Sequence, residues 1–386
     1  MTAATALTNA HDRYGLLDEL RGIAALVVLL FHIGTRIGAP VVAANGYLAV
    51  DFFFMLSGFV LAEAYGRRLT GEMTFAEFAM RRMARMMPIV VLGVCLGTTY
   101  ALTRWYAAPS RSDDLPTILG SALLNGLLLP KWWRGSATGW EVFPINGPLW
   151  SLFFEIVINL IWATWLVARR PGTLALLAIL SLVSLCLLAR HHGTMDLGWS
   201  GPTLAGGMAR VSFGFLTGLL IHAARDRLPV LGRGAATIAI MVTVAALALP
   251  VSDVSWVVAM TALALPAALV LAVCSGRQRI VPGARFLGTI SYAVYGLHVP
   301  FLALYSGLSE RLTGRSDAGF EAYLMVPVIL GVAALATTFY DRPAQRILRK
   351  ALDARYRQHG VEVSLARKSP ANPVGARGLR HETADS

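Results

Sequence analysis

The sequence predicts an all-α membrane protein, a bundle of about ten transmembrane helices with both termini in the cytoplasm. Three observations carry that prediction. Of 386 residues, 56% are hydrophobic and only 15% are charged, where an ordinary soluble domain has roughly 25% charged. Apolar runs long enough to cross a bilayer recur along the chain. The arginines gather in alternate junctions between those runs, as the positive-inside rule requires. This composition excludes a disordered chain, a coiled coil and most soluble enzymes. In a soluble protein the net charge of +12 would suggest nucleic acid. Here the basic residues lie between apolar runs, so membrane topology explains them and no nucleic-acid partner is expected.

Taken in order, a tail of residues 1–16 leads into the first span, 20–37. Asp18, Glu19 and Arg21 precede its apolar stretch and His32 interrupts it, a pattern of a retained helix rather than a cleaved signal. Further spans are expected at 47–65, 87–104, 149–168, 172–189, 205–223, 233–250, 253–274, 286–306 and 321–340. The apolar stretch 116–129 is too short to cross and is broken by Gly120, Asn125 and Gly126, so it reads as re-entrant or interfacial. With that segment left out of the count, the junctions holding Arg81, Arg82 and Arg85, Arg169 and Arg170, and Arg277 and Arg279 all face one side. That side is the cytoplasm. The membrane domain covers 17–345. Residues 346–386 are expected to form a basic cytoplasmic tail, unstructured where Gly, Pro, Ser and Ala dominate. Cys95, Cys186 and Cys274 each sit in an apolar run without a CxxC spacing, so they read as small hydrophobes, and no metal site is expected.

Ionisable and polar residues inside spans are costly and point to function. Arg21 and His32 are eleven residues apart, about three helical turns and about 16 Å, and face the same way. Arg21 suits either a snorkelling anchor or an anion ligand. His32 suits either a bonded structural histidine or a catalytic imidazole. Asp51, near the outer end of the second span, reads as an interfacial carboxylate, an orienting partner for the imidazole, or a substrate ligand. Arg82 and Arg85, spaced i, i+3, form a face suited to bidentate phosphate binding as well as to anchoring. Ser151, Glu155 and Asn159 make a polar stripe on span four. Ser291, Tyr295 and His298 make another on span nine. Arginines at the inner side and an imidazole deep in the membrane suit a reagent with an anionic head and a reactive far end. Acyl-coenzyme A is such a reagent.

The runs LDELRGIAALVVLLFH (17–32), GYLAVDFFFMLSGFVL (46–61), FAMRRMARMMP (78–88), NGPLWSLFFEI (146–156) and SYAVYGLHVP (291–300) resemble the acyltransferase 3 family of integral membrane O-acyltransferases. The resemblance covers about residues 16–345. It implies a ten-helix enzyme of the bacterial cytoplasmic membrane, without a bound cofactor. Such an enzyme moves an acyl group, often acetyl, from cytoplasmic acyl-CoA to a hydroxyl of a carbohydrate or glycosylated acceptor. Arg21 and His32 match the family's first-helix pair, Arg82 and Arg85 its RxxR pair, and Glu155 its carboxylate after Trp-Ser. Some members carry a fused extracytoplasmic esterase-like domain, whereas this chain ends in a short basic tail. It is therefore expected to act alone or with a separate extracytoplasmic partner.

On this reading His32 is the general base and Glu155, or else Asp51, orients its ring. Arg21, Arg82 and Arg85 hold the coenzyme phosphates. Asp51, Tyr295 and His298 contribute to substrate binding. An acyl-His32 intermediate is the other route open to the same residues. The competing class is a proton-coupled transporter of a small solute, since buried His, Asp and Glu also suit that task. No inverted repeat supports it, and transport leaves the arginine junction unexplained.

Overall fold

The structure, a computed structural model, describes residues 14–39, 41–314 and 319–368. Eleven helices make up these residues: α1 (Gly15–Arg36), α2 (Ala49–Leu69), α3 (Phe75–Ala107), α4 (Leu115–Gly126), α5 (Leu149–Leu166), α6 (Pro171–His192), α7 (Leu204–Ala224), α8 (Gly232–Ala248), α9 (Val254–Cys274), α10 (Ala284–Thr313) and α11. The last runs from Met325–Leu335 through a π turn, Ala336–Asp341, into Arg342–Lys368. Eight of the eleven are long and apolar enough to cross a membrane. Of the rest, α8 has 17 residues, and α1 has 22 but carries Asp18, Glu19, Arg21 and Arg36. With those two, a helix stands at each of the ten positions where a span was expected. With 12 residues, α4 is about 18 Å long and cannot cross.

Two boundaries differ from the sequence expectation. The helix of the third span, expected from 87, begins well before Pro88. It starts at Phe75, where the Thr74 hydroxyl accepts from the Glu77 amide as an N-cap, and it continues through the proline. Residues 346–368, expected to be unstructured, are helical as part of α11. Their first turns are tied to α3, because Asp353 accepts from Arg81 at 2.7 Å and Gln345 accepts from Arg85 at 3.0 Å. Composition counted over the whole tail hid this amphipathic stretch. Residues 1–13 and 369–386 lie outside the described residues.

Helices approach most closely where glycines face each other. Without a hydrophobic drive in lipid, association rests on van der Waals packing and hydrogen bonds, which small residues permit. Gly22 on α1 meets the backbone at Gly288 on α10, and Gly288 in turn meets the Asp18 carbonyl. Gly214 and Gly218 on α7 lie against the α2 backbone near Asp51 and Met55, while Gly58 lies against Phe215.

The α2–α7 seam also contains a buried ion pair. Arg210, fully buried, donates Nε to Asp51 Oδ1 at 3.0 Å and Nη2 to Asp51 Oδ2 at 2.7 Å. Its remaining donors reach the Leu197 carbonyl at 2.8 Å and the Tyr47 carbonyl at 3.2 Å. Asp51 is 1% exposed, so the roles of substrate ligand or imidazole partner do not fit its position. Both its oxygens are engaged by one guanidinium. The outer loop after α4 is built around another carboxylate. Asp113 accepts from the Ala137 amide at 2.6 Å and from the Thr138 hydroxyl at 2.6 Å. Burial alone would raise this carboxyl, but those hydrogen bonds and the Lys131 charge hold it below its ordinary 3.8.

Two outcomes are expected. Asp51→Asn or Arg210→Met alone should cost about 3–5 kcal/mol in reversible unfolding, because each strands a buried partner, and the double variant should be milder than either. Because its folded value is depressed, Asp113 stabilises the loop fully above pH 3.8 and less as pH falls through that lower value. Fluorescence of Trp132 and Trp133 should therefore stay constant down to that pH and change below it, and Asp113→Asn should show the changed signal already at neutral pH.

Candidate active site

The site is built on α1 and α10, which run parallel from the arginine-rich side. Where they meet, Arg21 donates Nη2 to the Gly288 carbonyl at 3.1 Å and Nε to Ser291 Oγ at 3.2 Å. Its other contact is an ion pair with Asp18 at 2.7 Å. Further out the same two helices bring His32 and His298 together, ring centroids 4.8 Å apart and planes inclined at 72°. His32 Nδ1 lies 2.9 Å from the Val28 carbonyl, and His298 Nδ1 lies 3.0 Å from that of Val294 and 2.8 Å from that of Tyr295. A carbonyl only accepts, so both rings carry their proton on Nδ1. Nε2 of each ring keeps a lone pair on the edge turned away from its own helix. His298 is fully buried and its Nε2 has no partner among the described residues.

Two prolines shape the surroundings. A proline lacks the N–H that would bond the carbonyl four residues back. On α10 this leaves the Gly296 carbonyl, four before Pro300, to accept from Asn146 Nδ2 at 2.8 Å. Asn146 thereby ties the start of α5 to the turn that carries His298. On α3, just before Pro88, the Met86 carbonyl accepts from Tyr292 OH at 2.8 Å and the Arg85 carbonyl from Gln345 Nε2 at 3.3 Å. Between these levels Tyr295 OH and Ser151 Oγ share a hydrogen bond of 2.6 Å.

The two arginines of the RxxR pair diverge. Arg82 turns inward, and its Nη2 pairs with Glu155 Oε1 at 2.7 Å, to which Ser57 also donates at 2.9 Å. Arg85 lies over the Tyr292 ring at 5.4 Å and reaches Gln345 and Asp341 on α11. The orienting role expected of Glu155 on His32 is thus filled by the Val28 carbonyl, while Glu155 is bound to Arg82 and Ser57. His298 falls beside His32, and Tyr295 packs against His298 with ring centroids 5.9 Å apart. Arg210 is the functional-looking residue that the sequence reading missed. Its signal was a lone arginine about two turns into an apolar span, with Asp51 as the complementary charge on another. Of the loop tryptophans, Trp132 is 75% exposed and Trp140 49%.

A polytopic bundle with a buried polar ladder, ending in two imidazoles with unprotonated edges, defines a membrane-embedded enzyme. The chain belongs to the acyltransferase 3 family, whose acyltransferase-domain profile matches residues 15–340, and it is a multi-pass O-acyltransferase. Among curated relatives, the "Protein 2 in picA locus" of Rhizobium radiobacter is 39% identical over 181 residues, 45% of this chain and 93% of that protein. A Komagataeibacter xylinus protein, BcsY, provisionally named as a membrane-bound transacylase, is 28% identical over 338 residues, 84% of this chain and 82% of its own. The peptidoglycan O-acetyltransferase OatA of Listeria monocytogenes is 25% identical over 157 residues, 39% of this chain and 24% of that protein. The chain therefore spans about a quarter of the length of that O-acetyltransferase. No solved structure matches it.

Asn146→Ala should leave the Gly296 carbonyl without its donor and loosen the turn that positions His298. The expected loss is about 1–3 kcal/mol in thermal unfolding, together with lower turnover at a folded temperature.

Proposed function

We propose that this enzyme transfers an acyl group, acetyl in the first instance, from cytoplasmic acyl-CoA to a hydroxyl of a carbohydrate or glycosylated acceptor. Its setting is the bacterial cytoplasmic membrane. The observation that carries this reading is the His32–His298 pair, each ring held as the Nδ1–H tautomer by its own backbone. Two unprotonated nitrogen edges brought close together favour an O–H donor between them. A hydroxyl donating to His32 Nε2 becomes a nucleophile as its proton leaves.

His32 takes that proton while the acceptor oxygen attacks the thioester carbonyl. The new C–O bond forms, the C–S bond breaks, and the His32 imidazolium returns the proton to the departing coenzyme thiolate. A positioned imidazole base contributes roughly 10²–10⁴-fold. His298 supports the ring and binds substrate, and Tyr295 lies one turn inward along the same helix, hydrogen-bonded to Ser151. Arg21 and Arg85, about 16 Å or less inward along the helices, bind the anionic head of the donor, and the pantetheine arm spans the distance between. Arg82, already paired with Glu155, positions the wall of this passage.

Purified protein in detergent supplied with acetyl-CoA should cleave the thioester slowly without acceptor and faster with a carbohydrate acceptor. His32→Ala should lower that turnover roughly 10²–10⁴-fold while coenzyme binding persists. His298→Ala should lower it less and raise the KM for the acceptor. Unchanged turnover in His32→Ala would remove the base from the scheme. Failure of the folded wild type to bind any acyl-CoA would favour solute transport.

A further inference from the structure

α11 beyond residue 340 lies outside the segment matched by the family profile, yet its first turns pack on the donor-binding arginine. Gln345, 5% exposed, joins three groups there. Its Oε1 accepts from Arg85 Nη1 at 3.0 Å and from Arg349 Nη2 at 3.3 Å, and its Nε2 donates to Asp341 Oδ1 at 2.7 Å. One carboxylate, Asp341, therefore faces three guanidinium groups, Arg85, Arg342 and Arg349. Its distance to Arg85 is 3.8 Å, a loose ion pair that leaves Arg85 largely uncompensated. Arg21 adds its field from the α1 side. By contrast, Arg82 is neutralised by Glu155 at 2.7 Å.

Resting on the donor reading above, we propose that Arg349 of α11 completes the phosphate-binding site of acyl-CoA together with Arg85, with Gln345 holding the two guanidiniums in register. The local excess of positive charge then belongs to a pair drawn from two helices far apart in sequence, not to the RxxR pair alone. Two guanidiniums flanking a shared amide can grip one phosphate bidentately from two sides. Arg85 lies over the Tyr292 ring at 5.4 Å, which brings this phosphate site beside Ser291, the inner end of the α10 face that carries Tyr295 and His298. A thioester held by its phosphates here extends its reactive end along that face.

The test uses the full chain in a nonionic detergent without anionic lipid. Coenzyme A binding is measured directly, and turnover is followed with acetyl-CoA and with acetyl-pantetheine, which lacks the phosphates. Arg349→Ala should weaken coenzyme A and raise the KM for acetyl-CoA about tenfold, leaving kcat and the acetyl-pantetheine kinetics unchanged. Arg349→Lys should recover part of the loss. Asp341→Asn, which removes the counter-charge, should lower the KM for acetyl-CoA. Arg355→Ala, exposed on the same helix, should change nothing. A wild type that binds coenzyme A no better than Arg349→Ala does, or an Asp341→Asn that binds it more weakly, overturns this inference and leaves the donor reading standing. A wild type that binds no coenzyme A overturns the donor reading itself. An Arg349 effect that appears only in phosphatidylglycerol vesicles assigns the site to a lipid headgroup and also overturns it.

Discussion

The parallel contact between α1 and α10 at Gly22 and Gly288 is the constraint on which the rest depends. Any larger residue at either position would push the helices apart, because backbone stands where its Cβ would go. That approach lets Arg21 reach the Gly288 carbonyl and Ser291, and three turns outward it brings His32 against His298. One packing contact thus sets both ends of the passage. Because the helices are parallel, the rise per residue along each matches, and the two contacts stay in register.

Around that pair, the bundle solves the same problem several times. No water satisfies backbone or charged groups in lipid, so each must find a partner inside the protein. The carbonyl exposed by Pro300 is met by Asn146, and the Met86 and Arg85 carbonyls beside Pro88 accept from Tyr292 and Gln345. Arg210 spends its donors on Asp51 and two loop carbonyls. Each repair joins elements distant in sequence, and three of them hold residues of the site. Stability and site geometry are therefore coupled: Asn146, which satisfies the carbonyl orphaned by Pro300, also ties down the turn that carries His298.

The ladder of polar groups across the bundle has a direction. Guanidiniums predominate towards the arginine-rich side, hydroxyls of Ser151 and Tyr295 occupy the middle, and two neutral imidazole edges stand further out. The proposed acyl transfer uses this separation, placing the anionic head at one end and proton transfer at the other.

By itself the sequence determined the fold class, an all-α membrane bundle, and where its apolar helices lie along the chain. Long apolar runs and alternating arginine junctions are local signals that lipid reads directly. It also marked His32, His298 and Tyr295 as candidates, since a polar residue in a span is costly, and the RxxR arginines by their shared face. What only the tertiary structure decided is who partners whom. Asp51 pairs with Arg210, and Glu155 with Arg82 rather than with His32. The tautomer of His32 is set by the Val28 carbonyl, a backbone group that no side-chain pattern reports. The helix beyond residue 345 also returns to α3. These pairings depend on how helices rotate and how deeply they cross. Those quantities come from packing between remote segments, where periodicity along one helix carries no information.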